Sequence, residues 1–224
     1  MAPAVRPWRP GDESACRALL SEAAMATVHT AFLSSLTREL TFQLVVLTAA
    51  LLFIFVGVPL ARCALAAPLV GAALYAGVWL SHAQQAARAS QGLHTAPRRG
   101  GCWVAELPGP LLGRPRVVGV IAVTQSLRAE DRAWVPRLAV ARAYRRRGVA
   151  SALLDRALAF CRDQGYVAAD LVISEYHDAA RRLFHEKGFS LRQVYHRPVL
   201  GSLVTVCLYQ LCFEIRAGRL SADP

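Results

Sequence analysis

The sequence predicts a mixed α/β domain around one sheet, interrupted by a hydrophobic membrane insert. Three observations carry this reading. Short apolar runs of strand length alternate with amphipathic helical stretches in the order βα, insert, βββαβαββ. Residues 40–80 carry a single charge, Arg62. Hydrophobic residues make up 54% of the 224-residue chain and charged residues 18%, against roughly 45–50% and about 25% in soluble proteins. That composition excludes a disordered protein and points toward lipid.

Taken in order, residues 4–8 read as a strand that turns at Pro10-Gly11 into a helix with Asp12 as N-cap and Ala15, Leu19 and Leu20 on its apolar face. Residues 1–36 thus form the first strand and helix of the domain. The insert, 40–80, consists of two uncharged runs on either side of Arg62. The first, 40–61, would span roughly 33 Å as a helix, enough to cross a hydrocarbon core. Pro59 and Pro68 favour a break near Arg62, so a helical hairpin or a re-entrant loop competes with one long span. Residues 81–101, polar and rich in Arg and Gln, read as a linker.

The remainder of the domain is 102–216. Strand-like runs at 102–107 and 117–124 flank a Pro- and Gly-rich loop, and 134–141 follows as a third strand. Residues 149–164 are the clearest helix. Val149, Leu153, Leu154, Ala157, Leu158 and Cys161 make one apolar face, and Gly165 is the stop. A strand at 167–174, a second helix at 177–187 closed by Gly188, and strands at 190–194 and 203–215 complete the chain. Loops are expected at 22–38, 125–133 and 195–202.

The formal charge is +11, which favours anionic partners such as phosphates, acidic headgroups or carboxylates. A nucleic-acid partner is not expected, because the aromatics fall in strands and in the insert rather than between basic residues on one face. The six cysteines show no CxxC pair, and no His or carboxylate cluster has ligand spacing. Neither a disulfide framework nor a metal is therefore expected.

The chemistry concentrates where the third strand passes into the long helix. A helix N-terminus offers unpaired N–H groups and about half a positive charge. Here it is preceded by Arg145, Arg146 and Arg147, with Gly148 to admit close approach, then Val149, Ala150 and Ser151. That combination suits a pyrophosphate; the competing reading is a solvated basic turn.

Arg145-x-x-Gly148-x-Ala150 after a Leu-Ala-Val strand resembles the acetyl-CoA-binding motif of the GNAT acetyltransferase superfamily. The opening VRPWRPGD resembles that family's first strand and turn, and residues 177–189 resemble its fourth helix. Together the three motifs extend the resemblance over residues 4–36 and about 94–215. A hydrophobic block before a Cys-Trp-Val-Ala-Glu strand is similar to the camello-like branch, which contains membrane-anchored enzymes acting on cysteine S-conjugates, aspartate or protein lysines.

The resemblance implies a GNAT fold with a mixed central sheet and both flanks of the insert on one membrane face. It implies an acetyl-CoA-dependent N-acetyltransferase with acetyl-CoA as co-substrate. The backbones of Leu138, Ala139 and Val140 would pair with the pantetheine arm. Residues 145–151 would bind the pyrophosphate, and an amide near Val140 would face the thioester oxygen.

Two positions depart from the family pattern. Phe184 stands where a proton-donating Tyr is usual. His177 stands where Asn is usual, and would either reach the co-substrate or cap its helix. Glu106 is the first candidate general base, ahead of Glu175 and Tyr195, although a solvated strand-end carboxylate is an equally good reading of it.

The surplus of Arg favours a small amine acceptor bearing a carboxylate, with membrane lipid as the second partner. Cytosolic orientation at the endoplasmic reticulum follows from the positive charge and the resemblance. The alternatives are a protein lysine acetyltransferase and a membrane-tethered module that holds acyl-CoA with little turnover.

Overall fold

The computed structural model describes residues 3–57, 59–91, 100–108, 115–199 and 204–215. Its strands are β1 (Ala4–Pro7), β2 (Gly101–Leu107), β3 (Arg116–Gln125), β4 (Arg132–Val140), β5 (Ala168–Ser174), β6 (Ser190–Val199) and β7 (Val204–Glu214). Its helices are α1 (Glu13–Met25), α2 (Val28–Leu36), α3 (Glu39–Val56), α4 (Leu60–Cys63), α5 (Ala66–Gln91), α6 (Val149–Asp163) and α7 (Asp178–Glu186). One seven-stranded sheet has the order β1-β2-β3-β4-β5-β7-β6. All neighbours are antiparallel except β4 and β5, which α6 links as a parallel βαβ unit.

The two faces of the sheet bury different helices. On one, the apolar stripe predicted for α6 packs with Ala105, Val118, Ile121 and Leu171, and all six of its members are buried. On the other, Cys16 and Leu20 of α1 cover Val104, Val120 and Ala139. A sheet covered on both faces needs apolar residues at successive positions, and β2 and β3 carry such runs, buried at 103–105 and 118–121.

The segments flanking the insert depart from the sequence reading in two places. Most of 22–38 is helical rather than looped, in the end of α1 and in α2, with short turns between and after them. Beyond residue 80, α5 continues to Gln91 where a linker was expected. Both follow from packing. Val28 and Ala31 of α2 bury against Val78 of α5, and Phe32 meets the ring of Tyr75 edge-on at 5.2 Å.

The helix α3 has only Thr41 buried, and Phe42, Ile54, Phe55 and Val56 are among its exposed side chains. By length and composition α3 and residues 66–88 of α5 are long and apolar enough to cross a membrane. Because β1 pairs with β2, the two ends of the insert return to the same sheet.

Asp12 precedes α1 but does not cap it with its side chain. Its carboxylate turns back to Arg6, with Nη1 and Nη2 donating at 2.7 and 2.8 Å, and to the amide of Arg9. A bidentate guanidinium–carboxylate pair joins two charges in two parallel bonds, which holds the carboxylate more firmly than one helix amide would.

Candidate active site

The sheet splits between β4 and β5. Pairing there is confined to Arg132 with Ala168, Ala133 with Ala169 and Trp134 with Asp170. Beyond Trp134, β4 stays with β3 while β5 continues along β7 through Ser174. Pro136 lies just past the last shared pair, and proline cannot donate to a ladder. The register of β3 and β4 also shifts between Ala122 and Thr124, opposite the same point, and such irregularities bend the strand away. Below the split, Arg132 holds the buried Asp170 through two bonds of 2.6 Å, clamping the two strands where they still touch.

Leu138, Ala139 and Val140 line the free edge of β4. The Ala141 amide donates to the Val118 carbonyl, so alternation along an antiparallel ladder turns the amide and carbonyl of Val140, and those of Leu138, toward the opening. The Val140 carbonyl accepts Arg145 Nε at 3.1 Å from that side. Ala139 faces the other way, its amide toward β3 and its side chain in the α1 core. An extended ligand arm laid along β4 would therefore pair with Leu138 and Val140.

At the mouth of the split the chain turns into α6. Gly148, the N-cap, has φ +76°, and Arg146 has φ +63°. Arg146 is the one non-glycine among the described residues in this left-handed region. An L-residue there costs about 1–2 kcal/mol, and such strain persists where the surroundings fix it, often at a ligand clamp.

The first bond into the helix runs from the Ala152 amide to the Gly148 carbonyl. The amides of Val149, Ala150 and Ser151 therefore precede the ladder. A Cβ placed on Gly148 would meet open space, so the surface over these amides is free to receive a group. Arg145, Arg146 and Arg147 are exposed around it. The turn fits a pyrophosphate in conformation, in donors and in charge. The helix can approach β3 this closely because residue 119 is glycine, where a Cβ would lie 2.9 Å from Leu153 and 3.3 Å from the Ala139 carbonyl.

The remaining candidates separate. His177 sits at the N-cap position of α7, yet its side chain makes no cap. Its Nδ1 instead lies 2.7 Å from Ser174 Oγ, at the end of β5. Its pKa is lowered from the ordinary histidine value, first by desolvation, since protein crowds the ring although part of the residue stays open, and then by His82 and Arg145.

Glu106 lies on β2, two strands from the opening. It accepts from Arg6, which Asp12 also holds. Glu175 accepts the Cys207 amide and stands 3.9 Å from Arg38. Phe184 is buried against Phe189, ring centroids 5.3 Å apart. Sequence reasoning missed Gly119, Pro136 and Ser174. Pro136 and Gly119 carried local signals, a proline and an isolated glycine inside strand-like runs; Ser174 carried none.

The profile of the acetyltransferase (GNAT) family matches residues 72–189. N-acetyltransferase 8 of Rattus norvegicus is 30% identical over 122 residues, covering 54% of this chain and 54% of that protein. The protein named Probable N-acetyltransferase camello of Xenopus tropicalis is 32% identical over 102 residues, 46% of this chain and 42% of its own. The chain thus spans about half the length of the curated relatives it matches. Among solved structures, Ard1 from Thermoplasma volcanium superimposes with a TM-score of 0.53 at 18% identity, over 97% of this chain and 100% of that one, a likeness of fold. With the family match spanning more than half its residues, the chain belongs to the acetyltransferase (GNAT) family.

Proposed function

We propose that this chain is a membrane-anchored N-acetyltransferase that moves the acetyl group of acetyl-CoA to the primary amine of a small, carboxylate-bearing acceptor. The observation that carries this reading is the split sheet with the left-handed turn of α6 at its mouth, an anion cradle in line with two outward-facing backbone units. In this reading Val149, Ala150 and Ser151 donate to the pyrophosphate, Leu138 and Val140 pair with the pantetheine arm, and Arg145, Arg146 and Arg147 supply positive field. The Val140 amide stabilises the charge that develops on the thioester oxygen. One such donor is worth roughly 3–4 kcal/mol, and holding amine and thioester together supplies much of the rest.

The apolar hairpin of α3 and α5 serves as anchor, with both ends on one membrane face because β1 and β2 are neighbours. The surplus of arginine supports a cytosolic orientation, and the similarity to the camello-like relatives supports the endoplasmic reticulum. Glu106 has its oxygen engaged by Arg6, so its better-supported role is to tie β1, β2 and the start of α1 together.

The test is acetyl-CoA-dependent thiol release by the detergent-purified protein, supplied with pooled amino acids and S-conjugates, beside Gly148→Asp. Release that the substitution abolishes supports the reading, and dividing the pool identifies the acceptor. Release only with protein lysines would transfer the activity to a protein substrate. The buried Phe184, unable to donate a proton, favours a second reading, a tethered module that holds acyl-CoA. Binding without release on any amine would establish that instead.

A further inference from the structure

Phe184, buried against Phe189, has no proton to give, and the structure places a titratable group, His177, just past the end of β5, one wall of the split. We propose that His177, oriented by Ser174, carries the proton from the acceptor amine to the departing thiolate. This deepens the acetyltransferase reading and rests on it.

The geometry comes from three elements. Ser174 ends β5, the strand that forms one wall of the split, and its Oγ lies 2.7 Å from His177 Nδ1. In the proposed tautomer Nδ1–H donates to Ser174 Oγ, which leaves the lone pair on Nε2 free to accept a proton. Arg145, which acts on the ring, also donates to the Val140 carbonyl on the opposite wall. β4 and β5 run parallel, so Arg145, just past the end of β4, and His177, just past the end of β5, stand at the same end of the opening on opposite walls. The third element is α5, whose buried positions Leu74, Val78 and Ala86 recur every fourth residue, with half-buried His82 on the same stripe. From there the charge of His82 disfavours a charged ring at His177.

The charged and titratable groups around the ring are accordingly Arg145 from the turn before α6, His82 from α5, and, on α7 itself, Asp178, which is paired with Arg181. Desolvation, Arg145 and His82 all disfavour an imidazolium, so the resting ring is neutral and able to accept a proton.

The chemistry balances. The amine nitrogen forms a bond to the acetyl carbon, the carbon–sulfur bond breaks, and the electron pair leaves on sulfur. The proton shed by nitrogen passes to Nε2. A thiol has a pKa near 8.5 and free histidine one near 6.5. An imidazolium whose pKa lies below that hands its proton to the thiolate downhill. The products are the amide and the free thiol, with His177 neutral again. One residue then serves as both base and acid.

The test compares the wild-type protein with His177→Asn and Ser174→Ala in detergent. Asn is a favoured N-cap, so α7 should fold. Three quantities are measured: acetyl-CoA affinity, the pH profile of kcat for thiol release, and carbethoxylation of His177 by diethylpyrocarbonate, read by peptide mass spectrometry. The expected results are acetyl-CoA affinity within about threefold of wild type, and kcat lower by roughly 10²–10⁴-fold. The acidic limb of the profile should be lost in His177→Asn and shifted in Ser174→Ala. Bound CoA should protect His177 from the reagent.

A His177→Asn protein that retains kcat and the acidic limb, or labelling of His177 that CoA leaves unchanged, would overturn the inference while leaving an acetyltransferase in place. Wild-type protein that binds acetyl-CoA without turnover would overturn both readings, since a holding module needs no proton carrier.

Discussion

At the scale of single residues, the site depends on backbone conformations that side chains cannot easily reproduce. Gly148 at φ +76° has open space above it, so Gly148→Ala does not fail by collision. It should cost about 1–2 kcal/mol of stability from the left-handed backbone and place a methyl over the amides of α6. Acetyl-CoA affinity should fall by about tenfold, roughly 1.4 kcal/mol, as measured by calorimetry.

Asp12 makes a pH prediction. Arg6 holds its carboxyl below the usual aspartate range, opposed by burial and helped by the Arg9 amide. A depressed folded pKa contributes stability above the unfolded value, near 3.9, and that contribution is lost as pH falls through the lower folded value. Melting temperature should therefore drop below about pH 4 in the wild type and depend less on pH there in Asp12→Asn. The sequence shows Asp12 plainly as a helix-start residue. It does not show that Arg6 and Glu106, the latter a hundred positions away, claim the carboxylate and its partner.

At the scale of elements, legibility follows how local the cause is. The α6 stripe can be read from spacing because each of its residues buries on one face. The helix α2 is illegible because its stability comes from Val78 and Tyr75 of α5, and nothing within residues 28–36 announces that support. The arginine turn is readable as an anion site, whereas the split that gives it a cleft depends on which strand lies beside β4. The Ser174–His177 bond is local, three positions apart, but its place opposite the arginine turn depends on the parallel pairing of β4 with β5.

The start of α3 is tied to the domain by Arg38, which donates to the Thr205 carbonyl and lies beside Glu175. Arg38→Ala should loosen the insert from β7, raising hydrogen exchange at the start of α3 and at Cys207 while leaving α6 protected. For the hairpin itself, replacing exposed Leu47 and Leu51 by lysine places two charges in the apolar leg. At roughly 2.5–3.5 kcal/mol each near a bilayer centre, the pair should move the protein out of the vesicle fraction in flotation. Unchanged flotation would rule out α3 as an anchor.

At the scale of the whole molecule, the exposed arginine turn sits in a chain whose whole charge has the same sign. The net charge of +11 acts over about 8–10 Å at ordinary ionic strength, which is farther than any hydrogen bond in the cradle reaches. It should therefore speed arrival of a polyanion such as acetyl-CoA more than it strengthens the bound state. Raising salt from about 0.05 to about 0.5 M, across which the Debye length falls severalfold, should lower kcat/KM for acetyl-CoA by about tenfold or more and leave kcat nearly constant. Initial rates of thiol release at subsaturating acetyl-CoA measure this directly.

Arg146→Gln with Arg147→Gln removes two charges at the mouth without touching Gly148. The double variant should show a shallower salt dependence and converge with wild type at high salt. Vesicles carrying anionic lipid should flatten the wild-type dependence in the same way, because headgroups then neutralise the arginines that would otherwise draw in the co-substrate. A wild-type kcat/KM indifferent to both salt and lipid charge would mean that the positive surface serves the membrane alone.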